Sequence, residues 1–198
     1  MPSKSNYISP EQFEKILEAI PRLGIRKWLD SDIQMLMKIC YWCALRFNEG
    51  ARLKVEDFNL KNLEIFLGKT KTNKEDIATI PPSFVQELSN FLEGKQGPLF
   101  PGLEYQTAIK WIYRLGKMLD IKAWTTPQRI TGEKTKTHIF RKSISKDLYL
   151  GTWTEQKAPL NVVSKKLRHK GRNPAGTTWQ YLKLDTEDVK EWENQNRL

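Results

Sequence analysis

The stretch "DIQMLMKICYWCALRFNEGARLKVEDFNL", residues 32–60, decides how this chain folds. Its first half is apolar almost all round, with Ile33, Met35, Leu36, Met37, Ile39, Cys40 and Tyr41 leaving no polar face. A helix apolar on every side belongs in the middle of a domain, so a central buried helix is predicted from Ser31 onward. It runs directly into Arg46, and Glu49 follows three residues later. At that spacing the two side chains share a helical face. A guanidinium emerging from an apolar helix is costly unless it meets an anion. A plain Arg–Glu pair would meet that need, and so would a bound anion. Cys40 and Cys43 have C-x-x-C spacing but lie inside the apolar run, without a second such pair and with both histidines far away. Buried helical thiols are expected there, not a redox or zinc site.

Upstream, Ser9, Pro10 and Gln12 read as a helix start with N-cap, first-turn proline and capping-box partner. Phe13, Ile16, Leu17 and Ile20 follow at helical spacing, and Pro21 to Lys27 breaks the run. Downstream, "LEIFLGKT" (63–70) and "DIATI" (76–80) read as two strands of a hairpin ended by Pro81 and Pro82. Ser83 is expected to cap a helix with Phe84, Leu88, Phe91 and Leu92 on its inner stripe and Gly94 near its end. Residues 106–119 form another amphipathic helix, and 120–136 a long polar connection. Thr137 caps a helix through "HIFRKSISKDLYL", "APLNVVSKKL" is a further helix, and "DTEDVKEWEN" a short polar one near the end. Gly171, Pro174 and Gly176 argue for a flexible spacer before Tyr181. The predicted class is mostly α with a small antiparallel β-hairpin or sheet (α+β), in a single domain over residues 1–185 with a tail at 186–198.

The 198 residues carry a net charge of +10, which points to a polyanionic partner, nucleic acid first and an anionic membrane second. No stretch is apolar for long enough to span a bilayer. "MPSKSNYISPEQ" lacks the apolar core of a signal peptide, so a cytoplasmic protein is expected.

Four signals carry chemistry, in chain order. Arg46 and Glu49 come first. Lys69, Lys71 and Lys74 sit at the hairpin tip, where a lysine can donate a proton or enter a groove, or simply solvate a turn. His138 and Arg141 share a helical face and can hold a phosphate, Arg with a donor fork and His as proton donor or acceptor. His169 precedes Tyr181, whose hydroxyl is a poor nucleophile near neutral pH unless cations favour the phenolate. Each signal alone has an ordinary structural reading. Together they supply a nucleophile, a base, donors for non-bridging oxygens and an acid for the leaving alkoxide, as in-line attack on a phosphodiester requires.

In order and spacing these boxes resemble the catalytic domain of the tyrosine recombinases, the phage integrase family, over roughly residues 9–185. Arg46, Glu49, Leu53 and Asp57 stand in the family's R-x-x-E-x-x-x-L-x-x-x-D spacing. "GKTKT" before "IATIP" is similar to its hairpin lysine, with Lys71 as counterpart and Lys69 as alternative. "HIFRKS" is similar to its H-x-x-R box, and "LRHKG" with "TTWQY" to its last histidine and its T-T-x-x-Y nucleophile. The chain departs from the family at Arg168, where Gly is usual, and at Lys142, where many relatives carry His. It departs again at "GRNPA", which lengthens the interval from His169 to Tyr181. Most relatives carry a separate N-terminal helical domain, so the chain is expected to be an excised catalytic domain or a minimal recombinase.

The resemblance implies a site-specific DNA recombinase or integrase working through a 3′-phosphotyrosyl intermediate, without metal or cofactor. Tyr181 would be the nucleophile, His138 its base and Lys71 the acid for the 5′ oxygen. Arg46, Arg141 and His169 would donate to the phosphate, and Glu49 would orient Arg46. Lys69, Lys74, Lys134, Lys136, Lys165, Lys166, Arg168, Lys170 and Arg172 would contact the backbone of double-stranded DNA. The implied assembly is a homotetramer on DNA, monomeric when free, from a prokaryotic or viral source. Residues 186–198 would dock on a neighbour through Trp192, or pack on their own domain, and Tyr181 would act in cis or in trans. A type IB topoisomerase and a non-catalytic DNA-binding protein of the same fold are the alternatives.

Overall fold

The computed structural model describes residues 7–69, 75–125, 138–152, 156–169 and 173–182. Helix α1 spans Pro10–Ala19. Ser9 caps it as expected: Ser9 Oγ accepts from the Gln12 amide at 3.2 Å, and Gln12 Oε1 accepts from the Ser9 amide at 3.1 Å. Its buried face carries Phe13, Ile16 and Leu17, and a 3-10 turn at Ile20–Leu23 ends it.

Helix α2, Asp30–Trp42, is the central element, with Leu36, Met37, Ile39, Cys40 and Tyr41 fully buried. Phe13 stacks on Tyr41 with ring centroids 4.1 Å apart, and Phe140 meets Phe13 edge-on at 5.6 Å. Trp124 packs edge-on against the same Phe140. Large aromatic surfaces from four separate segments therefore close one core. Both cysteines are free and buried, and burial pushes the Cys43 thiol up to about 12 against the opposing charges of Lys166 and Arg168.

The helix does not run straight into Arg46. Ala44 is left-handed at φ 53, the Leu45 amide donates to Cys40 O at 3.0 Å, and the Ala44 amide to Tyr41 O at 3.2 Å. That is a Schellman stop with alanine where glycine is usual. The short helix α3, Phe47–Gly50, then starts with Arg46 at its extended N-cap. Gly50 permits the close approach of α3 to α2: a Cβ there would lie 2.7 Å from Cys40 Sγ.

Strands β1 (Phe58–Asn59), β2 (Glu64–Lys69) and β3 (Glu75–Thr79) form an antiparallel sheet in that order. The expected hairpin is present, and β1 is an addition to it. Ile65 pairs with Ala78 on the buried face, and Phe66 with Ile77 on the outer one. Pro82–Phe84 is a 3-10 turn leading into α4, Val85–Leu92, so Ser83 sits inside that turn and Phe84 takes the N-cap position.

Helix α5, Tyr105–Met118, buries Ala108, Trp111, Ile112 and Leu115. The polar connection expected after it contains helix α6, Lys122–Thr125, whose Trp124 is fully buried. Residues 126–137 lie outside the described residues, Thr137 with them, and His138 holds the N-cap position of α7, Ile139–Leu150. Helix α8 is Leu160–Lys166. Helix α9, Pro174–Leu182, takes the place of the later part of the expected flexible spacer, while Gly171 lies outside the described residues: Asn173 Oδ1 accepts from the Gly176 amide at 2.8 Å, and Pro174 opens the helix. The tail 186–198 lies outside the described residues. The class is mostly α with one small antiparallel sheet, as the sequence predicts. No helix among the described residues is long and apolar enough to cross a membrane.

Candidate active site

Arg46 is held from the start of α3. Its amide donates to Glu49 Oε2 at 2.7 Å and its Nη1 to Glu49 Oε1 at 2.6 Å, while its side chain stays 45% exposed. Glu49 thus fills the glutamate half of a capping box and fixes the guanidinium beside it. Burial alone would raise the Glu49 carboxyl. The Arg168 guanidinium and the Arg46 donors outweigh it and hold the carboxyl below its ordinary range.

Arg141 on α7 is fully buried and donates from Nη1 to Ala44 O at 2.9 Å. The left-handed turn at Ala44 is what aims that carbonyl, so the stop of α2 and the arginine of α7 form one unit. His138 stands one turn earlier, half-buried. Burial, then the charges of Arg46, Arg141 and Lys142, push its imidazole down to about 4, with Glu49 opposing. His169 follows α8. Burial, then Arg141, Arg46 and Arg168, push it down to about 4 as well. Two imidazoles and two arginines from three separate regions of the chain therefore feel one another's charge. Both imidazoles are neutral near pH 7, and an anion among them would favour protonation.

His169 Nδ1 lies 3.0 Å from Oγ1 of the buried Thr178 on α9. Tyr181 is on the same helix, three residues further along. Thr178 did not emerge from the sequence as a site residue, although its T-T-x-x-Y context was the available signal.

The basic residues divide. Lys165 is exposed at the end of α8. Lys166 is bound instead to β3, donating to Thr79 O at 2.8 Å and Thr79 Oγ1 at 3.1 Å, and burial lowers it to about 8. Arg168 does not stand on an exposed surface: its side chain is 5% exposed and pairs with Glu49 and Asp76. Lys69 ends β2. Lys71, Lys74, Lys134, Lys136, Lys170 and Arg172 lie outside the described residues. Among the described residues no group of three or more His, Cys, Asp or Glu could hold a metal ion.

A family model described as the phage integrase family matches residues 6–187. No curated protein matches by sequence. Among solved structures, the XerA recombinase is 19% identical with a TM-score of 0.69, covering 100% of this chain and 67% of that one. The catalytic domain of bacteriophage HP1 integrase is 17% identical with a TM-score of 0.63, covering 97% of this chain and 95% of that one. XerH site-specific recombinase, solved bound to its difH substrate, is 22% identical with a TM-score of 0.63, covering 95% of this chain. The chain spans about half the length of that structure, 53%. With the family match running over nearly its whole length, and Arg46, His138, Arg141 and His169 grouped under a shared electrostatic field, the chain belongs to the phage integrase family of tyrosine-type site-specific recombinases.

Proposed function

We propose that this domain cleaves and rejoins double-stranded DNA with Tyr181 as nucleophile. The tyrosine oxygen attacks a scissile phosphorus, the bond to the 5′ oxygen breaks, and a 3′-phosphotyrosyl link is left with a free 5′-hydroxyl. The tyrosine proton passes to His138, and Lys71 gives a proton to the departing 5′ oxygen. General acid help of this kind is worth about 10²–10⁴-fold. Arg46 and Arg141 donate to the non-bridging oxygens, where charge gathers. With its Nδ1–H turned to Thr178, His169 faces the phosphate through Nε2, which donates once the phosphate's charge has favoured the imidazolium. Attack of another strand's 5′-hydroxyl on the phosphotyrosine reverses the step and exchanges strands.

The observation that carries this reading is the His169–Thr178 contact, which ties an imidazole under the charges of Arg141 and Arg46 to the helix bearing Tyr181. The exposed cation Lys165 and the chain's net charge of +10 supply affinity for the DNA backbone, so binding weakens steeply as salt rises. Strand exchange needs paired sites, and a homotetramer on DNA supplies the pairing.

A suicide substrate carrying a nick next to the scissile phosphate tests the nucleophile. The wild-type chain should give a denaturant-resistant protein–DNA band, with the adduct on the peptide holding Tyr181. Tyr181→Phe should bind the same DNA and give no band. An adduct surviving in that variant removes Tyr181 from the role.

A further inference from the structure

We infer that Arg168 is a positioning residue that clamps the β2–β3 hairpin to Arg46 and His169, and that it does not contact DNA phosphate. Its backbone is left-handed at φ 53. For a residue with a Cβ that conformation is strained, and glycine would avoid the strain. The side chain offsets the strain. Its Nη2 donates to Glu49 Oε2 at 2.7 Å, its Nε to Asp76 Oδ2 at 3.3 Å, and its Nη1 makes a longer 3.4 Å contact with Ala44 O. One guanidinium therefore reaches α3, β3 and the turn that ends α2. A lysine could not do this, because the three acceptors need donors spread over a planar fork.

The consequence is a chain of charges, Asp76–Arg168–Glu49–Arg46, with Glu49 Oε2 accepting from both Arg168 Nη2 and the Arg46 amide, and Oε1 from Arg46 Nη1. At one end is the arginine proposed to hold the phosphate. At the other is the strand that continues from the hairpin segment carrying Lys71 and Lys74. Immediately after Arg168 in the chain stands His169. The clamp thus holds β3 against the proposed phosphate pocket, and this role rests on the active-site reading above. A phosphate contact is disfavoured because its charge is already met by two carboxylates, Glu49 and Asp76.

Arg168→Gly, Arg168→Lys and Asp76→Asn, made in the full chain, test the clamp through three readouts. These are DNA affinity as a function of salt, the rate of covalent adduct formation at saturating suicide substrate, and amide hydrogen exchange over β2 and β3. Arg168→Gly should keep its affinity within about twofold and its salt slope unchanged, lose about tenfold or more in saturating rate, and exchange faster in β3. Arg168→Lys keeps the charge but not the fork, so it should resemble Arg168→Gly in rate. Asp76→Asn should speed exchange with a smaller loss of rate. Lys165→Ala is the comparison for a true phosphate contact, with the slope falling by about one. A slope reduced by about one in Arg168→Gly, with an unchanged saturating rate, overturns the inference. Unchanged exchange with an unchanged rate overturns it too. If Arg168→Gly does not fold, the lysine and asparagine variants decide. A wild-type chain that forms no adduct at all sinks the active-site reading instead, and the exchange arm still reads the clamp.

Discussion

His169 Nδ1 meets Thr178 Oγ1 at 3.0 Å, and Thr178 Oγ1 in turn donates to Pro174 O at 2.8 Å. A hydroxyl has one proton to give, and Thr178 gives it to the backbone. It can only accept from His169, so Nδ1 carries the hydrogen and the tautomer is set. The imidazole and the helix bearing Tyr181 are thereby coupled: if α9 leaves, the histidine loses the partner that orients it.

Thr178→Val keeps the shape and the β-branch but leaves a buried Nδ1–H without this acceptor. An unmet buried donor costs about 1–3 kcal/mol. If that cost falls on the oriented, reactive state, adduct formation should slow by roughly 10–100-fold. DNA affinity should change by less than about twofold, because no phosphate contact is removed. Single-turnover cleavage of a nicked duplex reads the first quantity and fluorescence anisotropy the second. An unchanged cleavage rate would show that the tautomer is set by something else.

The two imidazoles also give the fold a pH dependence. An ordinary histidine titrates near 6.5, and burial with the surrounding arginines lowers His138 and His169 to about 4. Between those values the unfolded chain holds more protons than the folded one, so stability rises with pH across the window. It should therefore be lost as pH falls from about 6.5 toward about 4. Urea unfolding at about pH 7.5 and about pH 4.5 measures this, and His138→Gln should flatten part of the difference. Bound DNA works the other way. In the Tyr181→Phe variant, the imidazole titrations followed by NMR should move upward when nicked duplex is added.

Local chemistry was the legible part of this sequence. The Ser9–Gln12 capping box, the apolar run of α2 and the strands flanking the hairpin each announce themselves within a few residues. The stop of α2 does not, because Ala44 occupies a left-handed position that glycine usually marks. Pro174 misled in the opposite sense: read as a breaker, it is the first residue of a helix that Asn173 caps. Strand β1 has two residues and exists only through its pairing with β2. Arg168 is the clearest case of chemistry hidden by distance. Among surface lysines it reads as one more cation, but its carboxylate partners lie 92 and 119 residues away in the chain. Only the fold brings them together.

Asp147 anchors the far side of α7. It is fully buried and accepts from the hydroxyls of Tyr7 and Tyr41, so α7 is tied both to α2 and to the segment before α1. The Tyr7 hydroxyl is pushed well above its ordinary range by burial and by that carboxylate. Tyr41→Phe removes one donor and should cost about 1–3 kcal/mol. Asp147→Ala strips both tyrosines of this acceptor and should cost more, about 2–6 kcal/mol for two unmet donors. Urea unfolding ranks the two. An Asp147→Ala protein no less stable than Tyr41→Phe would mean that the carboxylate adds nothing beyond a single bond.

Gly50 controls how closely the Arg46 turn sits against the core. A Cβ added there would lie 2.7 Å from Cys40 Sγ and 3.1 Å from Leu36 Cδ1, both on α2 and both fully buried. Gly50→Ala must shift the Cys40 and Leu36 side chains or push α3 outward, and overpacking of this kind typically costs about 1–3 kcal/mol. Because Arg46 is the N-cap of α3 and Glu49 its third residue, a displacement of α3 reaches the proposed phosphate site as well as the core. Cys40→Ala empties the space that the new methyl needs. The double variant Gly50→Ala/Cys40→Ala should therefore be more stable than the sum of the two single changes predicts, by about 1 kcal/mol or more. It should also recover part of the adduct rate lost by Gly50→Ala alone. Additive unfolding energies from urea titrations would show that the strain at Gly50 is relieved elsewhere, and that contact with Cys40 does not set the position of Arg46.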